Sequence, residues 1–168
     1  DNTLKLWSTK SGQLLHSLSQ HQDLIIRLKF SPDGQKIASA SLNGTIKLWS
    51  TKSGKLLHSL SAHKSEILSL NFSPNSKTLA SSSVDGTVKL WSTGGKLLRT
   101  LSGHKSEVYN VEFSPNGKII ASASGDGTVK LWDWNFDNLL IRGCEKLKGY
   151  LVNYPEKLDE LNSCKYRE

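Results

Sequence analysis

The sequence predicts an all-β fold in which about three and a half four-stranded antiparallel sheets stack around an axis, followed by a short C-terminal α-helical extension. Three observations carry this. Trp7, Trp49, Trp91 and Trp132 recur at spacings of 42, 42 and 41 residues, and His21, His63 and His104 at 42 and 41. Within each period, short apolar runs alternate with turn-forming residues. After Asp133 the repeat stops and the apolar residues take up a helical spacing.

The chain opens with Asp1-Asn2-Thr3, in register with Asp126-Gly127-Thr128: Asp1 precedes Trp7 by six residues, as Asp126 precedes Trp132. This register, with no Met among 168 residues, leads us to expect a chain that begins inside a unit and belongs to a longer polypeptide. In the unit 103–133, residues 108–113 are expected to form a strand, Pro115-Asn116-Gly117 a turn, 118–123 a second strand, Gly125-Asp126-Gly127 a tight turn and 128–132 a third strand. The linking segments 55–60 and 96–101 supply a fourth. The expected divisions are 1–20, the end of a truncated unit; 21–62 and 63–103, complete units; 104–134, a terminal unit; and 135–168, the helical extension.

On the third strand Val129 and Leu131 point to one face and Trp132 to the other. Large apolar groups on both faces need cover on both, which sheets stacked around an axis provide. In the tail, Leu139, Leu140, Gly143, Cys144, Leu147, Tyr150, Leu151 and Tyr154 share one side of a helix capped by Asn135 or Asp137 and ended before Pro155, with a short second helix over 156–164.

Composition narrows function. No run approaches the roughly 18 apolar residues of a membrane span, so no membrane partner is expected. Cys144 and Cys164 are too few for a disulfide framework or a four-ligand metal set, so a reducing cytoplasm is expected, with no metal and no cofactor. The net charge of +7 lies before the tail, since residues 137–168 hold six basic and six acidic side chains. Much of it recurs with the repeat, as Lys5, Lys47, Lys89 and Lys130 two residues before each Trp, and Lys36, Lys77 and Lys118 at the second strands. Such a belt makes nucleic acid or another anionic polymer the alternative partner. No Arg cluster or aromatic stacking platform accompanies it, so nucleic acid is disfavoured.

Ser-Pro pairs recur in step at Ser31-Pro32, Ser73-Pro74 and Ser114-Pro115, and Asn43-Gly44-Thr45, Asp85-Gly86-Thr87 and Asp126-Gly127-Thr128 each precede a Trp. From 1 to about 133 these residues resemble the WD40 repeat family, which implies a partial WD40 β-propeller of about three and a half blades. The Gly-His pair stands only at Gly103-His104, and the Trp-Asp pair only at Trp132-Asp133; Gln20-His21, Ala62-His63 and three Trp-Ser pairs replace them elsewhere. Residues 138–164 resemble the C-terminal extension of large bacterial multidomain WD40 signalling proteins of the STAND-type NTPase class, which would place a nucleotide-binding switch domain upstream.

Ser122, His104 and Asp126 would suit a hydrolase triad, but the same set recurs in every unit with no G-x-S-x-G elbow. The resemblance implies instead buried structural tetrads: His63, Ser81, Asp85 and Trp91; His104, Ser122, Asp126 and Trp132; and a variant of His21, Ser39, Asn43 and Trp49. Asn43 should give the weaker set, because an amide lacks the carboxylate charge. We therefore expect no enzyme, and a scaffold or sensor that binds a protein or peptide. The family's binding rim implies Leu24, Ile26 and Leu42, then Glu66, Leu68 and Val84, then Glu107, Tyr109 and Gly125 as the partner-binding candidates. Open ends of an incomplete ring would also be covered by the rest of the propeller or by another copy.

Overall fold

The structure, a computed structural model, describes residues 2–134. Among the described residues thirteen strands form four antiparallel sheets. The first holds β1 (Leu4–Trp7) and β2 (Leu14–Leu18). The second is β3 (Ile25–Phe30), β4 (Lys36–Ser41), β5 (Thr45–Ser50) and β6 (Leu56–Ser61) in sequence order, and the third repeats it with β7 (Ile67–Phe72), β8 (Thr78–Ser83), β9 (Val88–Ser92) and β10 (Leu97–Leu101). The fourth has three strands, β11 (Val108–Phe113), β12 (Ile119–Ser124) and β13 (Val129–Asp133).

This corrects the expected fold class. Among the described residues the protein is all-β with no helix, and its sheets have two, four, four and three strands. The physical reason is that from Leu4 to Asp133 the apolar runs are only four to six residues long and lie between turn residues, so each closes on its neighbour as an antiparallel meander. The expected helices, their caps, Cys144 and Cys164 lie outside the described residues.

The turns explain why Ser-Pro recurs. In β7–β8 the Ser73 hydroxyl donates to Asn75 Oδ1 (2.7 Å) and accepts the Thr78 N–H (2.9 Å), so one side chain closes both ends of the turn. Ser31 with Asp33 and Ser114 with Asn116 repeat this arrangement. A register shift follows the start of each inner pair, at Ile25/Arg27, Ile67/Ser69 and Val108/Asn110. Another recurs beside the Trp in the outer pairs of the second and third sheets. Such bulges sharpen the strand twist.

The core lies between sheets. Ala38, Ala40, Ile46 and Leu48 of the second blade pack with Ile67, Leu70, Phe72 and Leu79 of the third. Leu4, Leu6 and Leu18 of the first sheet pack on Ile37 and Trp49. Small residues in β4 and β8 let the layers approach, and the third strand is apolar on both faces and buried on both: Val88, Leu90 and Trp91 are all buried. The same positions at the ends of the array differ sharply. Leu131 is 70% exposed where Leu90 and Leu48 are fully buried, and Leu28 is 56% exposed where Leu70 is 6%.

Candidate functional site

In the third sheet the structure brings His63, Ser81, Asp85 and Trp91 into one chain of hydrogen bonds. Trp91 Nε1–H donates to Ser81 Oγ (3.1 Å), Ser81 Oγ lies 2.8 Å from His63 Nε2, and His63 Nδ1 lies 3.0 Å from Asp85 Oδ2. A carboxylate only accepts, so Nδ1 carries the proton, Nε2 of the neutral ring accepts, and the Ser81 hydroxyl donates to it. The Ser81 hydroxyl thus accepts from the indole and donates to the imidazole, and the chain runs one way from indole to carboxylate. The terminal blade repeats it with Trp132 to Ser122 (2.8 Å), Ser122 to His104 (2.8 Å) and His104 to Asp126 (2.9 Å).

The carboxylates hold more than the imidazoles. Asp85 Oδ1 accepts from the Thr87 N–H (3.0 Å) and hydroxyl (2.6 Å), and Oδ2 accepts also from the Lys64 N–H (3.4 Å). Asp126 does the same with Thr128 and Lys105. Burial alone would raise the Asp85 carboxyl, but the Thr87 hydroxyl and His63 outweigh it and hold it below its ordinary value. The Thr128 hydroxyl and the Lys105 N–H depress Asp126 further. Burial pushes His63 down, with Asp85 opposing in part. These Thr and backbone partners were missed in the sequence, although Thr follows Asp85-Gly86 and Asp126-Gly127 and was the available signal.

The second blade departs. His21 Nε2 lies 2.6 Å from Ser39 Oγ and Trp49 Nε1–H donates to Ser39 Oγ (2.8 Å), but Asn43 does not reach the ring. Its Oδ1 instead accepts from the Ser41 hydroxyl (2.8 Å) and the Thr45 N–H (3.1 Å), leaving His21 Nδ1 buried without a partner. Burial first, then the Lys47 ammonium, lowers the His21 pKa to about 4. A cavity of about 250 Å³ opens here, lined by His21, Gln22, Asn43, Thr45 and Lys47 among others.

As chemistry, the tetrads are poor catalysts. Ser81 is fully buried and its oxygen already accepts the indole proton, so no substrate carbonyl reaches it.

The rim candidates fall together in pairs. The Leu42 N–H donates to Leu24 O (3.0 Å), the Val84 N–H to Glu66 O (3.1 Å) and the Gly125 N–H to Glu107 O (3.0 Å). Each bond ties the tight turn to the loop entering the inner strand, so both segments sit on one rim. Leu24, Glu66, Val84 and Tyr109 are exposed, while Ile26, Leu42, Leu68 and Glu107 are partly buried. The Ser106 hydroxyl hydrogen-bonds Glu107 and holds its carboxyl below the ordinary range. Arg27 was not anticipated: its Nε–H donates to Leu68 O (2.5 Å), tying two inner strands. The belt lysines are partly committed, Lys47 donating to Ser59 Oγ (2.9 Å) and Lys89 to Ala62 O (2.7 Å).

The family model described as "WD domain, G-beta repeat" (WD40) matches residues 12–50, 54–92 and 95–133, and no enzymatic family is indicated. The crystal structure of the computationally designed Ika4 protein is similar to this chain, with 38% identity and a TM-score of 0.71 over 79% of this chain and 80% of that one. Comparison with curated proteins finds no match.

Proposed function

The chain belongs to the WD40 repeat family, and from that premise we propose that it is a non-catalytic scaffold or sensor whose rim binds a protein or peptide. WD40 domains generally serve as protein-interaction scaffolds. The observation that carries the proposal is the repeated backbone bond between tight turn and inner-strand loop, which holds Leu24, Val84 and Tyr109 exposed on one rim beside Glu66 and Glu107. A rigid apolar set flanked by carboxylates suits a partner segment with apolar and basic side chains. The tetrads serve this rim structurally, because each fixes the tight turn that carries Val84 or Gly125.

The finer reading is a cytoplasmic domain of a larger bacterial signalling protein, of the class with an upstream nucleotide-binding switch. The likeness of residues 138–164 to the extension of such proteins supports it. Exposed Leu28 and Phe30 at one end, and Val129 and Leu131 at the other, suit cover by further blades or by a second copy.

The test is to select peptides from a display library on the full chain and measure binding to Val84→Ser, Tyr109→Ala and Lys77→Ala variants. Lys77 lies in the turn at the other end of the strands. We expect at least a tenfold loss from the rim changes and none from Lys77→Ala. Ligands indifferent to both rim changes would refute the proposal.

A further inference from the structure

We propose that the cavity beside His21 is a carboxylate-binding site, in which an incoming carboxylate takes the place that the Asp85 and Asp126 side chains fill in the following blades. The argument is a comparison of three copies of one site. In two of them a carboxylate oxygen accepts from His Nδ1 and from the next residue's N–H, Lys64 or Lys105, while the other oxygen accepts the Thr87 or Thr128 hydroxyl. In the second blade the corresponding groups are His21 Nδ1, which is buried without a partner among the described residues, the Gln22 N–H and the Thr45 hydroxyl.

All three of these residues line the cavity. His21 is 94% buried, and its Nδ1 has no hydrogen-bond partner among the described residues, so one bond of a buried polar side chain is unmet. Asn43 has turned its Oδ1 toward Ser41 and Thr45. Lys47 supplies the one formal charge on the cavity wall, and it is positive. A set of donors with a cation and no carboxylate in the wall selects a compact anion, and the neighbouring blades show that a carboxylate has the required shape. The carboxylate is that of a small free acid or of an aspartate side chain presented by a partner. The site stands independently of the rim proposal, since it needs only the second blade.

The experiment uses the full chain labelled with ¹⁵N at histidine and backbone, titrated with sodium formate against sodium chloride at matched ionic strength and neutral pH. The expected result is a saturable shift of His21 Nδ1 and the Gln22 amide, with His63 and His104, which have their carboxylates in place, unmoved. In Asn43→Asp, which supplies the carboxylate within the chain, His21 should start near its formate-saturated position and the formate affinity should fall at least tenfold. N-acetyl-aspartate N-methylamide provides the second arm: tighter binding than formate assigns the site to a partner's side chain, weaker binding to a free acid, and either supports it. Failure of both probes to move His21, equal shifts at all three histidines, or an unchanged formate response in Asn43→Asp would overturn the proposal.

Discussion

Replacing Asp85 by Asn converts the third sheet's tetrad into the arrangement the second sheet already has, so the protein contains the outcome of its own mutation. Asparagine keeps an Oδ1 for the Thr87 N–H but loses the acceptor for His63 Nδ1 (3.0 Å) and the Lys64 N–H (3.4 Å). A hydrogen bond to a charged group is worth about 1.5–3 kcal/mol, and the bond to Lys64 is long and exposed. The net loss should therefore be about 2 kcal/mol, or about 4–8 °C in Tm for a chain of this length. The assay is chemical and thermal denaturation of wild type and Asp85→Asn from pH 7.5 to 3.

The pH profile separates this cause from a general loosening. A histidine whose folded pKa lies below its ordinary 6.5 contributes stability that is present above 6.5 and lost as pH falls toward the folded value. Without Asp85 opposing burial, His63 drops further, toward the value of about 4 reached by His21. The gap between wild type and variant should widen as pH falls below 6.5. It should narrow again as pH falls from 3.8 through the depressed folded pKa of Asp85, where wild type loses its carboxylate too. A loss below about 0.5 kcal/mol, or parallel profiles throughout, would refute the reasoning.

Two further perturbations test the packing. Gly44 and Gly127 both have φ of 78°, but a Cβ at Gly44 would stand 2.3 Å from the His63 carbonyl oxygen, whereas one at Gly127 meets nothing within 4 Å. Gly127→Ala should cost about 1–2 kcal/mol of backbone strain alone and Gly44→Ala at least about 2 kcal/mol more, measured by urea denaturation; equal costs would contradict the contact. Leu131→Lys places a charge on a side chain that is 70% exposed. If this face mediates association of copies, sedimentation should show it weakened at least tenfold, and unchanged association would remove the face from consideration.

Spacing alone was enough to place most of the strands, because a meander needs only local turns and alternating side chains, and both are written in runs such as Val108 to Trp132. The expected third and second strands of that unit begin one residue later, at Val129 and Ile119. Recurrence picked out the Trp and His positions, while the Ser rested on the family resemblance, because Ser83 and Ser124 recur in step with Ser81 and Ser122. What Asn43 does could not be read in either way: its amide has two local acceptor uses, and only the geometry shows it turned to Ser41 rather than His21. Contacts between inner strands, such as Arg27 to Leu68 O and Ser69 to Asn110 (2.8 Å), were also illegible. They depend on the lateral approach of different sheets, which spacing along the chain does not encode. The packing of the His16 ring over Gly54, where a Cβ would lie 2.7 Å from the ring, is of the same kind.

Repetition normally makes a ring's surface indifferent to rotation: a partner that fits one blade fits the next. Asn43 differs from aspartate by a single group, an amide nitrogen for an oxygen, yet it removes a negative charge from one turn while Asp85 and Asp126 keep theirs. Seen by an approaching partner, the successive turns no longer look alike, and a charged ligand has one preferred blade to face. A near-symmetric array thereby acquires a heading, set by one position in a turn.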